Sequence, residues 1–311
     1  MEGLESLGLT ALTPLEGGWS GRTFLAAGGG PDGDQVVRIY PPGDDAAGRG
    51  EAAAEVDAAL LRLVRGLLPV PEVLEVRRPL PEHDQPGLLV TSVLPGVRGD
   101  LLLPTLDDDG QRRAGAAVGA VAAVLGAIPM LREGPLVDAD LRIGSWEGPD
   151  CLADWVEQSL PALAHWSQVE QEALRGLAAD VEELLADVDR VCLAHSDLNP
   201  KNLLLDPATL AVTGVLDWEF AHAGHPATDL GNLLRFESGP RWAAYGDAVL
   251  DAYRERHGGD RDELVLRARA ADLLPLLLLA TRRGENPVAD RAHDLLLAMA
   301  RDERLDVAFD G

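Results

Sequence analysis

The stretch CLAHSDLNPKNLLLD, Cys192 to Asp206, sets five polar side chains, His195, Asp197, Asn199, Lys201 and Asn202, between apolar ends. A second apolar run, AVTGVLD, follows and closes on Asp217. Together the two runs predict a β-hairpin: a strand of leucines, a turn from Asp206 to Thr209, and a returning strand. Such a hairpin brings Asp217 back to the end where Asn202 begins. The competing reading is a polar loop in which Asn202 caps a turn, and it leaves the downstream acid unexplained. The leucines read as strand residues packed under the loop, holding its geometry.

Side by side, an amide oxygen from Asn202 and a carboxylate from Asp217 make a hard oxygen site of the kind that Mg²⁺ prefers, with phosphate oxygens completing it. An Asp placed ahead of them, as Asp197 is, suits the orientation of a hydroxyl and acceptance of its proton. Neither G-x-x-x-x-G-K-[ST] nor G-x-S-x-G occurs, which argues against a Walker-type nucleotide site and against a serine nucleophile elbow.

The rest of the chain divides near Ser92 to Gly96. Before it, LTPLEGGWSGRTFLAA and QVVRIY read as strands around the turn GGGPDGD, and VPEVLEVRR and PGLLVTSVL as two more. Between them EAAAEVDAALLRLVRG predicts a helix with Val56, Leu60, Leu63 and Val64 on one face and Gly66 as its stop. From Pro95 onward long Ala/Leu helices prevail. The uncharged segment from Ala114 to Leu131 is near the length of a membrane span, but its bulk is Ala and Gly and Pro129 cuts it short, so a helix packed inside the protein is expected.

With 52 acids against 27 bases, the formal charge of -25 disfavours nucleic acid and anionic membrane surfaces and favours cationic partners. Cys151 and Cys192 are the only cysteines, which excludes a disulfide framework and paired C-x-x-C metal ligands. The beginning, MEGLESLGLTAL, carries two acids and no basic stretch, so a secretory signal is not expected and the cytoplasm is the expected compartment.

HSDLNPKNLLLD followed by GVLDWEFAHAGHPATDLGNLL resembles the aminoglycoside phosphotransferase and choline kinase superfamily. His195, Asp197 and Asn202 match its H-x-D-x-x-x-x-N loop, and Asp217 with Trp218 its Asp-aromatic strand end. The resemblance implies an α+β, bilobal protein-kinase-like fold, with a small antiparallel-sheet N-lobe over residues 1–94 and a larger, mainly helical C-lobe over 95–311. It implies ATP (or GTP) and Mg²⁺ as cofactors, Asp197 as catalytic base with His195 and Lys201 in the catalytic loop, and Asn202 and Asp217 on the metal. Asp229, in HPATDL, is implied as a buried acid that braces the loop. For the nucleotide it points to Arg38 in VVRIY, to Glu55 as the ion-pair partner of Arg38 with Glu51 as competitor, to Ser20 in the glycine-containing GGWSGRT, and to Ser92 and Val93 at the hinge.

The chain departs from the family pattern in three places. Ser196 stands where the usual loop has Gly, NPKN replaces HPGN, and Arg38 stands where a Lys is usual. Lys201 adds a cation able to stabilise transferring charge, and an Arg fork is not equivalent to a Lys. The acceptor expected from the charge is a cationic small molecule, either an aminoglycoside or a basic peptide of the viomycin and capreomycin kind. A macrolide, a choline-like metabolite and a non-catalytic role are the alternatives. Asp150, Asp154 and Glu157, beside Trp146 and Trp155 in the segment from Ser145 to Trp166, and Glu219 near the metal are the candidate acceptor contacts. A monomer or homodimer is expected.

Overall fold

The computed structural model describes residues 12–15, 23–30, 33–41, 48–83, 85–236 and 242–307. They form an α+β fold that divides into two compact units. The first comprises residues 1–105, 134–144 and 199–222, and the second 106–133, 145–198 and 223–311.

In the first unit, strands β1 (Leu12–Pro14), β2 (Thr23–Gly30), β3 (Gly33–Tyr40), β4 (Val73–Arg77) and β5 (Gly87–Ser92) form an antiparallel sheet in the order β1-β2-β3-β5-β4. Strand alternation sorts β3 into two faces. Val37 pairs with Val90, and with Ala26 and Leu88 they build a small core on one side. The other side carries Val36, Arg38 and Tyr40, with Arg38 opposite Leu89 and Val36 opposite Thr91.

Helix α1 (Ala53–Val64) buries Ala54, Val56, Asp57, Leu60, Leu61 and Val64. Leu63, expected on that face, is 44% exposed. At about 100° per residue the buried arc centres on Asp57, which leaves Leu63 just beyond one edge and turns Glu55 to the opposite side. A charged residue at the centre of a buried helical face is costly unless paired, and its partners are described below.

After β5 come the short strand β6 (Val97–Arg98) and helix α2 (Gly99–Leu102), and later β7 (Gly134–Pro135) in a small hairpin closed by a Leu136–Ile143 bridge. In the second unit, strand β8 (Cys192–Ala194) is buried. The first unit resumes with β9 (Leu203–Leu205) and β10 (Val212–Val215), antiparallel as expected, and β6 pairs with β9 on its other side. The Asp206 carboxylate ties the turn by accepting from the Ala208 and Thr209 N–H groups at 2.9 and 2.7 Å.

The second unit is helical. Its Ala/Gly segment forms α3 (Asp108–Leu125), N-capped by Asp107, and packs along α7 (Ala243–His257). The glycines explain the composition: a Cβ at Gly115 or Gly119 would run into the carbonyl of Tyr245 or Val249. Small residues there serve close helix approach, and no helix among the described residues is long and apolar enough to cross a membrane. Around Leu163, Leu174, Leu277, Leu295 and Leu296, helices α4 (Leu152–Ser159), α5 (Gln168–Ala186), α8 (Arg261–Ala280) and α9 (Pro287–Asp302) enclose the main apolar cluster.

Candidate active site

Between His195 and Asn202 the chain passes from the second unit into the first, at Leu198 and Asn199. In the second unit, helix α6 (Thr228–Leu234) carries Asp229, whose carboxylate accepts from the backbone N–H of His195 at 3.0 Å and of Ser196 at 2.8 Å. Asp229 therefore braces the loop, as the resemblance implied. Burial pushes its carboxyl up to about 6, against the two N–H groups that favour the anion. His195 is fully buried, and its Nδ1 accepts from the Asp197 N–H at 3.3 Å, which leaves the proton on Nε2 of the neutral ring. Asp197 itself is half-buried.

Ser196 has φ of +65°, in the left-handed region. Glycine enters that region at little cost, whereas a residue with a Cβ is strained there. The backbone thus accounts for the Gly of the family pattern, and the bonds from the His195 and Ser196 N–H groups to Asp229 hold the loop without it.

In the first unit a cavity of about 450 Å³ opens beside the sheet. Leu25, Val36, Leu89, Leu204 and Leu216 are apolar walls, while Arg38, Lys201, Asn202 and Asp217 supply its charged and polar lining. The hairpin delivers the last pair as expected: the Leu216 N–H donates to the Asn202 carbonyl at 2.9 Å, so Asp217 follows directly beside Asn202. Asn199 caps the short turn Pro200–Asn202 by accepting from the Lys201 N–H at 3.0 Å.

Asp217 also has a left-handed backbone, φ +62°, and its carboxylate accepts from Arg38 at 2.6 Å. The other arm of the Arg38 fork holds Glu219. Burial pushes the Glu219 carboxyl up, opposed by Arg38. Arg38 stays charged: burial disfavours its cation, but Tyr40 and the carboxylates of Asp217, Asp57 and Glu219 outweigh it. An amide oxygen and a carboxylate on one cavity wall fit a hard divalent cation that shares phosphate oxygens with them.

Glu55 does not meet Arg38. Its carboxylate takes Arg78 at 2.6 Å, and Arg78 is mostly exposed. The helix geometry is the reason, since Glu55 lies opposite the buried arc; Glu51 is exposed. Asp57 occupies the inward position instead. It accepts from the Tyr40 hydroxyl at 2.6 Å and from Arg49 at 2.5 Å, and sequence reasoning missed all three. The available signal was an acid at the centre of the apolar arc.

Ser92 and Val93 line the cavity, the Ser92 hydroxyl accepting from the Glu72 N–H at 2.9 Å and Val93 being exposed. Ser20 and the glycines Gly17, Gly18 and Gly21 lie outside the described residues. In the second unit, Asp150, Asp154 and Glu157 are exposed. Glu157 accepts from Arg175 at 2.5 Å, so its charge is already matched. Trp146 is exposed, whereas the Trp155 indole is half-buried and donates to the Pro149 carbonyl at 3.1 Å. Glu219, on the first unit, is engaged by Arg38.

Residues 11–268 match the sequence model of the phosphotransferase enzyme family. The chain belongs to that family. Among curated relatives, this phosphotransferase-family chain is 29% identical over 206 residues to an aminoglycoside 3'-phosphotransferase of Streptomyces fradiae, covering 62% of this chain and 68% of that one. It is 36% identical over 91 residues to acyl-CoA dehydrogenase family member 11 of Mus musculus, which takes in 29% of this chain and only 11% of the mouse protein. Among solved structures, the GDP and kanamycin complex of APH(2")-IIia superposes with a TM-score of 0.66 at 18% identity, covering 94% of each chain, a likeness of fold. The macrolide 2'-phosphotransferase MphH of Brachybacterium faecium superposes with a TM-score of 0.53 at 26% identity, covering 93% of this chain and 91% of that one.

Proposed function

We propose that this chain is an ATP-dependent O-phosphotransferase that carries the γ-phosphate to a hydroxyl of a cationic antibiotic, an aminoglycoside or a basic peptide of the viomycin and capreomycin kind. The observation that carries the reading is the cavity of about 450 Å³ in which apolar walls adjoin Arg38, Lys201, Asn202 and Asp217. Its volume lies within the range of small-molecule sites, and the composition suits an aromatic base and ribose with phosphates at the charged end. On this reading residues 1–94 supply the sheet side of the nucleotide site, with Ser92 and Val93 beside the base, and 95–311 supply its metal-holding residues together with the catalytic and acceptor part.

Asn202 and Asp217 hold Mg²⁺, which neutralises phosphate charge when bound. Arg38 and Lys201 supply further positive charge toward the phosphates. Asp197 accepts the proton of the acceptor hydroxyl as its oxygen bonds to the γ-phosphorus and the bond to the departing ADP oxygen breaks. The transition state is loose, so positioning and charge neutralisation matter more than base strength, and an ordinary carboxylate suffices. Asp197 and Asn202 are five residues apart, which limits their separation to about 17 Å at most. His195, buried and neutral, acts as a support of the loop.

The charge of -25 supplies attraction for a polycation. Exposed Asp150 and Asp154 are the better candidates for its contacts, since Glu157 and Glu219 already hold arginines. Antibiotic resistance, a cytoplasmic location and a monomer or homodimer complete the proposal. The likeness to a macrolide 2'-phosphotransferase favours a macrolide as the second reading.

The test uses purified protein, ATP (with GTP as a parallel donor), Mg²⁺ and a panel of aminoglycosides, basic peptides, macrolides and amino alcohols, read by product mass. Phosphorylation of a cationic antibiotic, with an acceptor KM that rises with salt, is the expected result. A neutral macrolide outperforming every cationic acceptor would transfer the assignment to the second reading, and no phosphorylated product from any class would overturn both.

A further inference from the structure

Asp57 and Tyr40 line the same cavity, and Arg49, which does not, joins Asp57 to the turn that follows Asp217. Asp57 is 3% exposed and Arg49 6%. One nitrogen of Arg49 bonds Asp57 at 2.5 Å; the other donates to the carbonyl of Ala221 at 2.6 Å and to that of Trp218 at 3.2 Å. The Tyr40 hydroxyl occupies the second oxygen of Asp57 at 2.6 Å. Asp217 and Glu219 lie at the two ends of the span Asp217 to Glu219, and the two carbonyls grasped by Arg49 bracket Glu219. The Trp218 indole is buried and donates to the Val215 carbonyl at 3.1 Å, tying the same turn to β10.

A buried ion pair is a weak device for stability, because desolvation offsets its attraction. A planar guanidinium fork is a strong device for geometry, because its donors are fixed relative to one another. Here it joins helix α1 to two carbonyls of one turn. We propose that Asp57 and Arg49 are positioning residues that set the turn Asp217 to Ala221, and so determine how well Asp217 receives the metal-nucleotide. This deepens the proposed function and rests on it. Arg38 is held from the turn itself, by Asp217 and Glu219, so the helix acts on the turn through Asp57 and Arg49 and not through Glu55.

The experiment measures ATP binding by calorimetry with and without Mg²⁺ for the wild type, Asp57→Asn, Arg49→Met, the double variant and Tyr40→Phe. Each single removal of a charge strands its partner and lowers the melting temperature, whereas the double variant recovers most of that loss. The Mg²⁺-dependent gain in ATP affinity falls by about tenfold or more in the double variant despite its recovered stability, in keeping with the effect of removing outer supports of a metal site. Tyr40→Phe folds and loses only about two- to threefold of that gain, since a single hydrogen bond to Asp57 is lost. A double variant with the wild-type Mg²⁺ gain would overturn this inference alone. Absence of ATP binding by the wild type would overturn the proposed function and this inference with it.

Discussion

Replacing Asp229 by Asn probes the brace of the loop at His195 and Ser196 within the second unit. The carboxamide oxygen can accept from only one of the two N–H groups of His195 and Ser196, and its NH₂ is then turned toward the other donor. The loss is one charge-assisted bond, about 1.5–3 kcal/mol. Against it stands relief of a buried charge. The Asp229 carboxyl is raised from 3.8 to about 6, so at neutral pH its anion costs the fold about 3 kcal/mol at 1.36 kcal/mol per pKa unit. The sign follows from proton uptake. Below about pH 6 the folded carboxyl binds a proton while the unfolded one remains ionised to about 3.8, so stability present at low pH is lost as the pH rises through 6. Between about pH 7.5 and pH 5 the wild type gains on the order of 1 kcal/mol from this residue, and the Asn variant gains none. Urea unfolding of both proteins across that interval is the assay. Near parity is expected at pH 7.5, with the variant falling behind as the pH drops. Parallel stability curves would refute the claim that burial dominates the Asp229 environment.

Asp217→Ala is expected to reduce turnover on the order of 10²-fold or more while leaving the circular dichroism spectrum unchanged, because the group lines the cavity; near-native turnover would remove it from the metal site. Asp197→Asn is expected to cost about 10²-fold or more in kcat with ATP affinity nearly unchanged, measured by steady-state kinetics alongside calorimetry. Ser196→Gly relieves a left-handed φ and should raise stability by up to about 1 kcal/mol in chemical denaturation, whereas Ser196→Val should lower it. Glu55→Gln should change stability by less than about 0.5 kcal/mol and leave the KM for ATP as it was, since its partner Arg78 is exposed.

Where chain-local rules decide the structure, the sequence was informative. The hairpin from Leu203 to Val215 follows from two apolar runs and a turn, and the adjacency of Asn202 and Asp217 follows from the hairpin. Asp229 was legible through the family motif. The inward acid of helix α1 was not, because choosing between Glu55 and Asp57 requires the centre of the buried face, and two helical positions two residues apart point about 160° away from each other. Arg49 was less visible still. It sits in a loop without periodicity, and its carbonyl partners lie 169 and 172 positions further along the chain. Leu63 shows the converse limit, an apolar residue at the margin of a face that has enough without it.

The first unit is discontinuous, and this has a consequence for biosynthesis. Its last segment ends at His222, 117 positions beyond Thr105, so the nascent sheet waits for its hairpin. At 5–20 residues per second the wait lasts roughly 6 to 23 s. During that interval Arg49 has no Trp218 or Ala221 carbonyl to hold, and the Leu89 side of the sheet lacks the Leu204 and Leu216 walls that later complete the cavity. The order of segments along the chain thus places this sheet face ahead of the strands that wall it, and a fragment ending at Thr105 would lack Lys201, Asn202 and Asp217 from the cavity lining.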